Sequence, residues 1–269
     1  MAKKIAFFDI DGTLTSEIDG SVPASAAEAI QQARENGHLM FINTGRCMQN
    51  VEKRFRDVGF DGYICGCGTN IYCMQNQKKE EILYVQQSHD ITLQILEHAR
   101  KFQLDILFES KKEVRFDTKR PLCTEGGIRQ YNAFVKRNYD MSHNPEDFDF
   151  TCDKFVVWFT DISDLPAFRK VSDLHFDCIN RGGNFREFVP HGYSKATGIQ
   201  AVLDYYHISF DDAYALGDSN NDLSMLSYVK NSIAMGNASP ESLFNQVAYV
   251  TTKASEDGIS HALTHFHFI

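Results

Sequence analysis

Four polar segments hold residues whose types and spacing can do chemistry. The first is Asp9-Ile10-Asp11-Gly12-Thr13-Leu14, directly after the apolar run 5–8. Residues two apart on an extended chain point the same way, so Asp9 and Asp11 can meet one ligand or one cation, while Gly12 permits a sharp turn. Asp-x-Asp-Gly also opens calcium loops, but the later oxygen ligands and bidentate Glu of such a loop are missing here. The second segment, Asn43-Thr44-Gly45-Arg46, is expected to open a helix after the apolar run 39–42. A hydroxyl and backbone N–H groups at such a place suit an anion, though an ordinary helix cap by Thr44 would look the same.

The third is Gly192-Tyr193-Ser194-Lys195-Ala196, in which Ser194 reads as an N-cap and Lys195 falls in the first helical turn. A cation there opposes the helix dipole by a few tenths to ~1 kcal/mol, which a bound phosphate would offset. A solvated surface lysine is the plain alternative. The fourth, Gly217-Asp218-Ser219-Asn220-Asn221-Asp222, offers oxygen ligands of the kind Mg²⁺ takes. Asp218, nearest the strand end, is the expected metal ligand; Asp222 also suits a helix cap. None of the four decides anything alone. Each follows a core strand or starts a helix, and together they converge on one sheet edge.

The elements that must position them alternate. Apolar runs 5–8, 39–42, 213–216, 233–235 and 248–250 are interleaved with helical patterns over 24–35, 194–206 and 222–228 and from 240 and 258 on; Val51, Phe55 and Val58 mark the face of one more helix. Strand–helix alternation argues for a parallel sheet covered on both faces, with ligands at the carboxyl ends of its strands. In mid-chain the rhythm changes. Runs 104–108 and 114–116, then 175–179 and 185–189, lie close enough for antiparallel hairpins, with helices near 90–102 and 125–138.

The expected fold is therefore α/β: a Rossmann-like parallel-sheet core (1–82 and 185–269) carrying an inserted α+β cap domain (83–184). The cap is expected to be an antiparallel sheet with helices on one face. With 27 basic against 36 acidic residues the formal charge is −9, a poor attractor for nucleic acid or an anionic membrane. Any phosphate site must then be made positive locally. Seven scattered cysteines, no leader-like start and no apolar run near 20 residues point to a soluble, cytoplasmic protein.

In order and spacing these motifs resemble the haloacid dehalogenase (HAD) superfamily and, within it, the Cof-type phosphatases with a large inserted cap. The resemblance rests on DIDGTL (9–14), INTGR (42–46), the Lys195 segment, GDSNND (217–222), AMGNA (234–238) and EDG (256–258). It implies a Mg²⁺-dependent phosphatase acting on a small phosphorylated metabolite, a sugar phosphate ahead of a nucleotide or phosphorylated cofactor. Asp9 would be the nucleophile and Asp11 the general acid and base, lending its backbone carbonyl to the metal. Thr44, Gly45, Lys195 and Asn221 would hold the phosphate; Asp9, Asp11 and Asp218 would hold Mg²⁺, with Asp222 supporting them. Two departures stand out. Ala196 replaces a frequent Gly, and Cys65-Gly66-Cys67-Gly68-Thr69-Asn70 stands where Asn-Gly-Ala is common.

The chemistry agrees with the resemblance. A carboxylate attacks a phosphate dianion only where that charge is neutralised, as Mg²⁺ and Lys195 could do. A dehalogenase would have no use for Asp11 as an acid. A phosphotransferase or mutase, or a non-catalytic phospho-ligand sensor, stays as an alternative, the sensor weakened by the presence of Asp9 and Lys195. Gly66-x-Gly68 lacks the third glycine of a dinucleotide loop, and Cys65, Cys67 and Cys73 lack a fourth metal ligand.

Overall fold

The computed structural model describes residues 3–75 and 78–269. The chain divides into two compact units, 1–84 with 193–269 and 85–192. The first unit opens with β1 (Ile5–Phe8), α1 (Ala24–Glu35), β2 (Leu39–Asn43), the short α2 (Lys53–Arg56), β3 (Gly62–Cys65), β4 (Asn70–Gln75) and β5 (Lys78–Tyr84). The second holds α3 (His89–Lys101), β6 (Asp105–Glu109), β7 (Val114–Phe116), α4 (Glu125–Lys136), β8 (Lys154–Trp158), α5 (Leu165–Ser172), β9 (Phe176–Asn180) and β10 (Phe185–Pro190). The chain returns to the first unit with α6 (Lys195–Tyr206), β11 (Ala213–Ser219), α7 (Leu223–Tyr228), β12 (Asn231–Ser239), β13 (Tyr249–Val250) and α8 (Gly258–His265).

The first unit's eight strands run in the order β13-β12-β11-β1-β2-β3-β4-β5. The pairs from β13 through β3 are parallel; β3/β4 and β4/β5 are antiparallel, so a hairpin beyond the expected parallel strands extends one edge. All four residues of β1 are buried, as a central parallel strand requires. Ile5 and Phe7 pack on one face with Ile199 and Val202 of α6, while Ala6 and Phe8 pack on the other with Ala29 of α1 and Ile259 of α8. Each such fully buried Phe or Ile contributes about 1.5–3 kcal/mol. The chain leaves β1 toward β2 on one side and comes back in β11 on the other. That reversal opens a crevice at the carboxyl end of β1, where Asp9 stands.

The second unit is a five-stranded antiparallel sheet, β7-β6-β8-β10-β9. Two expectations are corrected here. Its last strand, β10, pairs with β8 and β9, so the second crossing between units falls at 192/193 rather than 184/185. The helices flank both faces rather than one. Phe108, Phe155 and Val157 pack with Ile95 of α3 and Phe168 of α5, whereas Leu107, Val156 and Trp158 pack with Phe134 of α4. Both sets of alternating strand residues are apolar, and each needs a cover. Trp158 is core, stacked between Phe116 and Phe185 at 6.0 and 5.1 Å. Among the described residues no helix is long and apolar enough to cross a membrane.

Candidate active site

Asp9 ends β1 with its N–H donating to the Leu216 carbonyl of β11 at 3.1 Å, which locks it beside the Asp218 segment. The chain does not continue extended. It coils through a wide turn over 10–14, and Gly12, at φ +78°, is held in the left-handed region. A Cβ at Gly12 would sit 2.2 Å from Asp218 Oδ2, so both the backbone angle and the close approach require glycine. After this turn Asp9 and Asp11 meet different partners, unlike the shared ligand that an extended chain would give them. Asp9 is buried and faces Lys195, whereas the Asp11 side chain is 64% exposed and faces Arg46.

Lys195 is the first residue of α6 and is buried. Ser194 caps this helix by accepting from Thr197 N–H at 3.2 Å, while its own N–H donates to Thr197 Oγ1 at 2.9 Å. Asn43 at the end of β2 donates its side-chain amide to the Lys195 carbonyl at 3.0 Å. So fixed, Lys195 Nζ donates to Asp9 Oδ1 and to Asp222 Oδ1, both at 2.6 Å. Burial alone would lower the lysine's pKa, but Asp222 and Asp9 outweigh it and hold the ammonium charged.

Asp222 accepts twice more at Oδ2, from the N–H of Asp218 at 2.9 Å and of Ser219 at 3.1 Å. It therefore braces the loop that presents Asp218 and does not cap α7, since its side chain makes no bond to that helix's first turn. Thr13 Oγ1 donates to Asp218 Oδ1 at 3.4 Å. Ligand atoms of Asp9, Asp218 and Asp222 all lie within 4.8 Å of one another. Burial, then Asp222 and Asp9, push the Asp218 carboxyl up to about 8. Burial raises Asp9, Lys195 pulls it back and Asp222 raises it again, to about 6. Three clustered carboxylates, of which Asp9 and Asp222 are buried and Asp218 half-buried, share one buried ammonium. An oxygen-only donor set with surplus negative charge fits a hard divalent cation such as Mg²⁺.

The Thr44 segment departs from expectation. No helix opens there: a single tight turn over Met48–Asn50 comes first and α2 begins only at Lys53. The Thr44 N–H donates to the Ile64 carbonyl, and its hydroxyl accepts from Arg46 N–H at 3.2 Å. The anion site at a helix start is thus replaced by a turn beside β2, with Thr44 buried and Gly45 half-buried. Asn221 accepts from the Ser219 hydroxyl through Oδ1, which orients its amide. The Cys65–Gly68 loop supports the lysine: a Cβ at Gly68 would lie 2.2 Å from the Ser194 carbonyl, so this glycine lets the loop back directly onto the start of α6.

Residues 6–263 match the haloacid dehalogenase-like hydrolase family. The chain belongs to that family. It is therefore a hydrolase, and its expected class, a phosphoric monoester hydrolase, agrees with what its relatives are named. The chain is 27% identical to YkrA of Bacillus subtilis strain 168 over 265 residues, covering 98% of this chain and 97% of that one. It is 25% identical over 268 residues to the same organism's 5-amino-6-(5-phospho-D-ribitylamino)uracil phosphatase YitU, covering 96% and 95%. Among solved structures it is similar to the HAD subclass IIB sugar phosphatase BT4131, with a TM-score of 0.80 and 25% identity over 99% of this chain and 100% of that one.

Residues outside the predicted roles also meet at the site. Arg46 pairs with Asp11, Asn43 ties β2 to α6, and Thr13 reaches Asp218. Asn237 donates to the Gly12 carbonyl at 2.7 Å while accepting from Ala254 N–H at 2.9 Å, which braces the turn after β1. Asn43, Arg46 and Asn237 all lie inside the quoted motifs, so their presence was visible even where their partners were not.

Proposed function

We propose that the chain hydrolyses phosphomonoesters of small polyhydroxylated metabolites, sugar phosphates foremost, through a phosphoryl group carried on Asp9. The observation that carries this reading is the buried Asp9 carboxylate, held at 2.6 Å by Lys195 and within 4.8 Å of Asp218. An Asp9 oxygen attacks phosphorus, a new P–O bond forms to Asp9 and the ester P–O bond breaks. Asp11 gives its proton to the departing alkoxide, worth on the order of 10²–10⁴-fold. In the second half Asp11 takes a proton from water, the water oxygen bonds to phosphorus, and the Asp9–phosphorus link breaks to release phosphate. Lys195 offsets phosphoryl charge throughout; Thr44, Gly45 and Asn221 orient the phosphoryl oxygens.

Mg²⁺, held by Asp9 and Asp218 with the backbone carbonyl of Asp11, would supply the remaining positive charge at the phosphate. Asp222 keeps Lys195 and the Asp218 loop in register. Support for a sugar or polyol substrate comes from the similarity to a sugar phosphatase and to a phosphatase of a phosphoribityl compound. Phosphate release from a panel of phosphomonoesters, with Mg²⁺ or with EDTA, tests the reading. Hydrolysis that survives chelation would rule out the metal's part, and an Asp9→Asn variant with wild-type turnover would rule out the nucleophile.

A further inference from the structure

Arg46 is half-buried and belongs to none of the roles above, yet it is the most heavily tethered cation near Asp11. Its Nε donates to Asp11 Oδ2 at 2.9 Å and its Nη2 to Asp11 Oδ1 at 2.5 Å, a two-pronged grip on both carboxylate oxygens. The guanidinium is itself held from behind. Nη1 donates to the Asn50 carbonyl and to Glu52 Oε1, each at 3.2 Å, and the group lies 5.3 Å from the centre of the Phe55 ring. Glu52 is steadied in turn by Arg54 Nε on its other oxygen at 3.0 Å. The backbone is anchored as well: Arg46 N–H donates to Thr44 Oγ1 at 3.2 Å, and its carbonyl accepts from Gly66 N–H at 2.9 Å.

An aspartate side chain that is 64% exposed would otherwise sample several rotamers. A planar fork on both oxygens, fixed at its far end, selects one direction for the carboxyl group. Proton transfer depends on that direction, because the group must reach the departing or attacking oxygen within hydrogen-bond distance. We propose that Arg46 is a positioning residue that aims the Asp11 carboxyl at the reacting oxygen and itself binds no phosphate. The inference rests on the phosphatase reading, in which Asp11 is the acid and base.

The test compares kcat/KM for 2-glycerophosphate, whose alkoxide needs a proton to leave, with that for 4-nitrophenyl phosphate, whose phenolate hardly does. In the Mg²⁺-loaded full chain, Arg46→Gln should lower kcat/KM about 10²-fold on the first substrate and less than about tenfold on the second. Asp11→Asn should show the same selectivity, and the Arg46→Gln/Asp11→Asn double variant should be no worse than Asp11→Asn alone. Arg46→Lys should not rescue, since an ammonium cannot form the fork. Glu52→Gln, which loosens the anchor without touching Asp11, should give a weaker version of the same pattern and covers the case of a misfolded Arg46 variant. Equal losses on both substrates, a raised KM for both, or additive losses in the double variant would overturn the proposal and point to phosphate binding or loop support. A wild-type chain that hydrolyses neither substrate, nor any of the phosphomonoester panel, would overturn the phosphatase reading and this inference with it.

Discussion

Two buried lysines in this molecule are each gripped by two carboxylates, and the contrast between them separates chemistry from architecture. Lys154 heads β8 in the second unit and pairs with Glu109 across the strand and with Glu187 of β10 at 2.7 Å. Arg181 adds a second cation on Glu187 at 3.2 Å, so these acids meet more than one base. Lys195 is held by Asp9 and Asp222 in the same way, but Asp218 joins them with no second base paired to the cluster among the described residues. A matched cluster can be a purely structural device, and a buried ion pair is often no more stabilising than well-packed apolar side chains. A surplus of negative charge around a buried lysine is different. It raises carboxylate pKa values and asks for a cation from outside.

The contrast breaks first at Asp9. Asp9→Asn should lower turnover about 10⁴-fold or more, as loss of a nucleophile does. It should leave the melting temperature of the metal-free protein unchanged or raised, because one surplus charge is gone. Steady-state kinetics and thermal denaturation on the same preparation check both halves. Lys154→Met should do the reverse, costing about 3–5 kcal/mol in urea unfolding by removing the ammonium that Glu109 and Glu187 share. Replacing Glu109 and Glu187 by leucine in that background should recover most of the loss. Gly12→Ala drives a methyl into Asp218 at an angle alanine resists, and should weaken Mg²⁺ affinity about 10–100-fold by calorimetry.

The smallest effect sharpens the comparison through pH. Asp9 and Asp218 are raised to about 6 and about 8 in the metal-free fold, above the ordinary carboxylate value of 3.8 that holds in the unfolded chain. Over that window the native state binds more protons than the unfolded one. The metal-free protein should therefore lose stability as pH rises from about 4 to about 8 and change little beyond. Apparent Mg²⁺ affinity should move the opposite way, strengthening over the same range as protons stop competing. Melting temperatures with and without Mg²⁺ from pH 5 to 9 read out both trends.

Much of the first unit could be read from residue patterns, because its determinants are local. The helix at Ala24–Glu35 and the strands 5–8 and 39–43 follow from unbroken apolar runs and period-3.6 stripes. Parallel-sheet topology then carried Asp9, Lys195, Asp218 and Asp222 to one crevice. What escaped depended on single backbone angles or on partners far away. The turn at Gly12 redirects Asp11, and only coordinates reveal that it meets Arg46, 35 residues on. Val51, Phe55 and Val58 read as one helical stripe, but only Phe55 lies in a helix, the four-residue α2; Val51 precedes it and Val58 follows it. The unit boundary was set too early because β10 runs almost into the Lys195 segment, and its partners β8 and β9 could not be seen from its own residues.

The central claim is that a buried carboxylate at the end of β1, neutralised by Lys195 and a divalent cation, takes the phosphoryl group covalently. Acid-quenching the chain during turnover with Mg²⁺ and mapping the modified peptide by mass spectrometry tests it most directly. The account predicts one phosphoryl group on Asp9, absent in Asp9→Asn and absent with EDTA. Turnover with a phosphoryl group on any other residue, or undiminished turnover by Asp9→Asn, would contradict it.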